Sequence, residues 1–540
     1  MRFLPIYFSL AFISACYQTE STITDTLLYC SDKAPHSFNP QISHDVATLD
    51  ATTHQLYNRL VKIDPISQRF VSDIALRWEV NSKKTEYTFY LRRDVNFHHN
   101  DYFTPSRQLN AEDVIFSFDR MLAKEHPFHL TNVVAETYLY NHPFSNLVAD
   151  IVKVDDYTIR FMLNKSDATL LANLAAHYAV IHSKEYAQLL LENDNKAQID
   201  YLPIGTGPYQ FKQNSTKRLI RFQAHTKPWE KPSNIKQLIF DVTPNSTKRY
   251  AKLLSGECDI ITNPAPSQVK QISKNELFSL SSQPTGNVAL IAFNTKSKSL
   301  QNSDVRHALS SAIDRQTILD AVYFENATAA NNLLPSNSWA YNPRAPLVYY
   351  TPEHSREKLQ NGEFDFSQTL RIVAPIKSSI FNPNFYKTAE LIQSNLATIG
   401  VNTEIIQLRN EELNATLMAG EYDLYLTGIS PYIKDPDNLF RPLFSCSSNQ
   451  IEGNTGQWCD TKVQALLDNT LLETNFVQRV KNYYQLQEYT QDQLIYLPIA
   501  HLLRFDVFNN NISGLQMNPL TGIDLHSVNK VPPLTKEQIK

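Results

Sequence analysis

The sequence predicts an α/β fold organised in more than one domain, and three observations lead there. Between residues 369 and 429, stretches with strand and helix character alternate as strand, helix, strand, helix, strand, which gives a parallel sheet with helices on its faces. Residues 87–91 and 157–163 instead alternate apolar and polar side chains with a period of two, the pattern of half-buried antiparallel strands. Finally, 540 residues are too many for one hydrophobic core, so two or three domains are expected.

At the N-terminus Arg2 precedes an apolar run over residues 3–15 that is too short to span a bilayer and fits an export signal. Residues 1–15 are therefore expected to be a signal peptide. The run ends in Ile13-Ser14-Ala15-Cys16, which resembles a bacterial lipobox and makes Cys16 a lipidation candidate. A plain secretory signal cut slightly later would leave Cys16 incidental. Either way the mature chain is exported. With 42% hydrophobic and 19% charged residues the composition is that of an ordinary globular protein. Fifty basic against 54 acidic residues give a net charge of -4, with no dense Lys/Arg run, so no nucleic acid is expected as a partner.

Export also gives weight to the other four cysteines, because an oxidising compartment permits disulfides. Four cysteines allow three pairings; Cys446 and Cys459 bracket a short polar loop, and the expectation is Cys446 with Cys459 and Cys30 with Cys258. Each would contribute about 3 to 5 kcal/mol through loop closure in the simplest account. A zinc site is the competitor, but no CxxC is present and no His stands at ligand spacing beside these positions.

Along the chain, residues 26–29 read as a strand leading to Cys30, and the polar segment 31–40 after it can face a cleft. Residues 47–60 show helical periodicity, and Asn110 opens an amphipathic helix through Val114, Phe118 and Met121. Two of only 12 glycines fall in Gly205-Thr206-Gly207-Pro208-Tyr209, where the backbone is expected to need positive φ; the phosphate-loop spacing and its Lys are missing. Strands follow at 218–223 and 288–294, a helix end, turn and strand at 253–261, and a helix capped by Asn302 or Ser303. The parallel unit then comprises a strand at 369–374, a helix at 387–399 stopped by Gly400, and strands at 401–408 and 422–429. The loop after residue 429 leaves the carboxyl end of a strand, where ligands of open α/β sheets sit. Asp435 suits a helix cap, Pro436 a first helical position and Asp437 the positive helix end, so a short helix is expected toward Phe444. The tail from Val531 is expected to be mobile.

Seven short motifs occur in a recognisable order: the 87–97 stretch Tyr-Thr-Phe-Tyr-Leu-Arg-Arg-Asp-Val-Asn-Phe, Asn-Ala-Glu-Asp-Val at 110–114, Gly-Thr-Gly-Pro-Tyr at 205–209, Gly-Glu-Cys-Asp at 256–259, Ala-Phe-Asn at 292–294, Asp-Val-Arg-His-Ala-Leu at 304–309 and Asp-Pro-Asp at 435–437. Together they resemble the extracellular solute-binding proteins, family 5, of peptide ABC importers. The block at 101–107 and the Leu-Pro-x-x-Ser-Trp-Ala-Tyr pattern at 334–341 are similar to the narrower Sap type, the periplasmic component of the sensitivity-to-antimicrobial-peptides transporter. The resemblance implies a two-lobe periplasmic binding fold (type II, cluster C) with an extra subdomain on lobe I. It suggests residues 22–280 plus 490–540 for lobe I, about 62–202 for the extra subdomain and 285–488 for lobe II. The two expected disulfides match the dipeptide-binding branch.

The implied function is capture of peptides between the lobes, antimicrobial peptides among them, for delivery to an inner-membrane ABC permease, by a monomer without a cofactor. Main-chain hydrogen bonding to strand-like edges would hold the peptide, as in β-augmentation. The candidate ligand residues are Asp32, His36, Phe38, Lys377, Ile429, Ser430, Tyr432, Lys434 and Asp435. Three positions depart from the family. Peptide-binding relatives anchor the α-amino group with an Asp where this chain has Tyr432, and they often carry a Trp where it has Ile429. An Arg of the dipeptide-binding members is matched by Lys377, which attracts a carboxylate without the bidentate fork. The alternative ligand is haem, which some relatives accept; His36, Tyr432 or the His98–His99 pair would then be axial ligands. An enzyme is not expected, because no GxSxG, HExxH, metal cluster or paired carboxylate stands out.

Overall fold

Two long strands, Phe278–Phe293 and Tyr496–Asn509, run antiparallel through the middle of the computed structural model, and a sheet of 11 strands extends outward from them. The structure describes residues 24–129, 144–215, 218–324, 326–448, 453–518 and 520–532. The expected signal peptide, Cys16 and the tail beyond residue 532 lie outside these.

On one side of the central pair come Leu424–Ile429, Thr369–Pro375 and Asn402–Leu408, the last two parallel to each other with Ile372 opposite Ile405. The intervening helix is Phe385–Thr398, and Gly400, at φ +81°, makes the left-handed turn out of it. On the other side come Ile260–Thr262, Thr26–Ser31, Gln237–Val242, Leu219–Ala224 and Tyr209–Ser215. Thr26–Ser31 is parallel to both of its neighbours. The central pair holds one register from Phe278 opposite Asn509 to Pro284 opposite Leu503, then shifts and resumes at Val288 opposite His501. Gly286, at φ +84°, sits within that shift, a bulge-like break in the ladder.

Period-two burial explains why the strands hold both faces of the sheet. Ala289, Ile291 and Phe293 enter one apolar core, while Val288, Leu290 and Ala292 enter another. Leu27 and Tyr29 likewise face a core opposite to that of Cys30. A separate four-stranded antiparallel sheet runs Ala75–Val80, Glu86–Leu91, Thr158–Leu163 and Val148–Asp155. Its core around Phe89, Phe118 and Phe161 is covered by helix Ala111–Leu122, which Asn110 and Asp113 close with a reciprocal capping box. Both expected disulfides are present, Cys30–Cys258 and Cys446–Cys459, with Cα atoms 5.9 and 4.8 Å apart.

Two expectations are corrected. The helix expected over 47–60 is Val46–Thr52 only, because the carbonyls of Gln55 and Leu56 accept the N–H groups of Tyr209 and Gly207 at 2.9 and 3.0 Å. Neither Gly205 nor Gly207 has positive φ. What requires glycine there is that close approach: a Cβ on Gly207 would lie 2.6 Å from the Gln55 oxygen.

Candidate ligand cleft

The segment leaving strand Leu424–Ile429 is pinned at three points. Ser430 Oγ donates to Asn287 Oδ1 at 2.6 Å, which ties the loop to the register shift of the central strands. The N–H groups of Tyr432 and Ile433 both donate to Asn438 Oδ1, at 2.6 and 3.3 Å, folding the loop back over helix Asp437–Phe444. Asp435 accepts the Asp437 N–H at 3.0 Å, and Arg479 donates to its two oxygens at 2.6 and 2.9 Å. Asp435 thus supports the helix start, as its position suggested, and is also half of a buried ion pair. Burial alone would lower the Arg479 pKa, but the charge and hydrogen bonds of Asp435, together with Tyr483 and Asp437, outweigh it and keep the guanidinium firmly protonated. Next to this pair, burial pushes Asp437 up to about 6 despite its bond to Arg441.

Thus held, the loop reaches across to the other side of the molecule. Ile433 is buried in the core of the four-stranded sheet, and the Tyr432 ring meets His44 edge-on at 5.7 Å. Two adjoining cavities flank the crossing. The larger, about 70 Å³, lies between Pro284–Gly286, the Leu334–Ser338 segment, the loop itself and Asn518 and Leu520. The smaller, about 20 Å³, lies on the His54, Arg59 and Ala172–Ala176 side. Ile433, Lys434, Asn518 and Leu520 line both.

Of the candidate residues, Tyr432 lines the smaller cavity, Asp435 the larger and Lys434 both; Asp32, His36, Phe38, Lys377, Ile429 and Ser430 line neither. Phe38 is corrected to a core residue, 4% exposed and packed on Phe211 and Phe222. Lys377 and His36 are exposed, Asp32 is half-buried, and Ile429 packs beside the core that contains Val288. His98 cannot be an axial ligand as arranged: it is fully buried, its Nε2 donates to the Gly207 carbonyl at 3.0 Å, and its Nδ1 accepts the Gly205 N–H at 3.2 Å. No group of three or more His, Cys, Asp or Glu is placed to hold a metal among the described residues.

Two parts of the cleft escaped sequence reading. The 334–341 pattern carries only a family similarity in the sequence, yet Leu334, Pro335 and Ser338 form a cavity wall. Arg59 lies inside a stretch that reads as helix, and nothing in its neighbours signals a buried cation.

A family model for bacterial extracellular solute-binding proteins, family 5 Middle, matches residues 69–450. The chain is 36% identical over 492 residues to the "Probable ABC transporter periplasmic-binding protein SapA" of Escherichia coli strain K12, covering 91% of this chain and 90% of that one. Among solved structures it is similar to HbpA2 from Haemophilus parasuis, with a TM-score of 0.90 and 34% identity over 94% of this chain and 100% of that one. It is also similar to a dipeptide-binding protein from Pseudoalteromonas sp. SM9913 in complex with Met-Leu, with a TM-score of 0.75 and 35% identity over 94% and 100%. The expected two-lobe α/β fold is that of these periplasmic binding proteins. On the match over 69–450 and on relatives that align across nearly the whole chain, the protein belongs to the bacterial extracellular solute-binding proteins, family 5.

Proposed function

We propose that this protein is the substrate-binding component of a peptide ABC transporter, capturing short peptides in the cleft around Tyr432 and Lys434 and delivering them to a membrane permease. The observation that supports this most directly is the pair of cavities at the carboxyl end of strand Leu424–Ile429, walled by elements from both sides of the central strands. Relatives that are named for peptide transport and dipeptide binding point the same way. The lobes are taken as 22–280 plus 490–540 and 285–488, with the extra subdomain at 62–202. The separate core of the four-stranded sheet and the register shift at 284–288 support those boundaries. The protein works outside the inner membrane as a monomer, with Cys16 as its lipid anchor. Tyr432 in place of the usual Asp, and Asp435 engaged by Arg479, remove the carboxylate that relatives use for the ligand's α-amino group. Selectivity for a free N-terminus is therefore weak.

The test is native mass spectrometry of the protein purified from its own cells. Peptide adducts that exchange with an added pool of di- to tetrapeptides are expected. A protein that neither arrives with peptide nor takes any from the pool would refute the reading.

A further inference from the structure

We propose that Arg59 is the anchor for a carboxylate on the ligand, so that the protein recognises peptides by a free C-terminus. The inference rests on the peptide reading and extends it to the chemistry at one end of the ligand.

Arg59 lines the smaller cavity on the side facing Tyr432 and Lys434, and it is only 3% exposed. Its Nη2 contacts His54 Nδ1 at 3.4 Å, while Nε and Nη1 donate to no group among the described residues. The carboxylates within electrostatic reach are engaged elsewhere. Asp73 accepts the Arg59 backbone N–H at 2.9 Å and the Asn58 amide at 3.1 Å. Glu230 accepts from Lys62 at 3.0 Å, and Asp524 from the His526 N–H at 2.9 Å. Arg59 consequently forms no ion pair among the described residues, although a buried guanidinium with unmet N–H groups is unfavourable unless a partner is supplied. Its planar fork matches a carboxylate, which can accept from two nitrogens at once.

The surroundings favour an anion as well. Lys434, which lines both cavities, has no carboxylate partner among the described residues. Burial, helped by the charges of Arg59 and Lys62, holds His54 neutral. Its Nε2 donates to Thr521 Oγ1 at 2.8 Å and its Nδ1 lone pair faces the guanidinium, so it positions Arg59 without competing for an anion. Lys377, the residue that the family pattern would assign to this task, is exposed and lines neither cavity.

A carboxylate could come from a peptide C-terminus or from a haem propionate, and the experiment separates them. The mature full-length protein is titrated with matched pools of di- to tetrapeptides, free-acid and C-terminally amidated, and in parallel with haem and its dimethyl ester. The free acids are expected to bind about 10- to 100-fold more tightly than the amides. Arg59→Gln is expected to bring acid and amide together, and Arg59→Lys to restore part of the difference. Equal binding of acids and amides by the unmodified protein would overturn the anchor while leaving the peptide reading intact, and this comparison needs no variant to fold. Binding of haem but not its ester, with no peptide bound, would keep the carboxylate anchor and overturn the peptide reading. Binding of none of the four would overturn both.

Discussion

A methyl group on Gly205 would overlap the carbonyl oxygen of Leu56, so the turn that looked like a conformational requirement is a packing requirement. His98 clasps the same turn, and its two hydrogen bonds fix a neutral ring with the proton on Nε2. His225 meets it edge-on at 4.8 Å, and burial lowers the pKa of both, His225 to about 4. The unfolded chain binds protons on these rings below about pH 6.5 and the folded one does not, so their contribution to stability is full above that pH. It is lost as pH falls toward about 4 for His225. Urea midpoints measured from pH 7 to 4 are expected to drop less steeply in His225→Phe than in the unmodified protein. At this scale the sequence shows which residues are unusual but not why, because the cause sits about 150 residues away, at Gln55 and Leu56.

Among the elements, the loop and helix around Asp435 show both sides of that limit. The helix start was legible because Asp435, Pro436 and Asp437 each meet a local backbone requirement, and helix Asp437–Phe444 begins within one residue of the expected position. The Arg479 partner was not legible, since helix Phe476–Gln493 reaches the loop only through tertiary packing. The pair makes a prediction of its own. Asp435→Asn leaves a buried guanidinium uncompensated and is expected to lower stability by about 3 to 5 kcal/mol in urea unfolding. Replacing both members, as in Asp435→Leu with Arg479→Met, is expected to cost clearly less than either single change. The parallel unit from Thr369 to Ile429 was readable throughout because each element had its own periodicity and its own stop.

For the whole molecule, the two central strands run from one core to another, with Phe278 and Val507 in one and Ile291 and Leu497 in the other, and the Gly286 register shift lies between those two zones. Ligand that binds both walls of the cleft favours the closed arrangement by its difference in affinity for the two states. Saturating the protein with a binding peptide at about 100 times its Kd is therefore expected to stabilise it by about 2.7 kcal/mol. Small-angle scattering should show a smaller radius of gyration in the same sample. The overall architecture was legible through motif order, whereas the cleft walls were not, because His54, Arg59, Leu334 and Leu520 meet only after folding. Tyr496–Asn509 follows every other strand of the large sheet in sequence yet sits at its centre, hydrogen-bonded to Phe278–Phe293, Ile260–Thr262 and Ala327–Ala329. A nascent chain still lacking that strand would hold two separate sheets with no strand between them, so the two halves are expected to join into one sheet only when synthesis is nearly done.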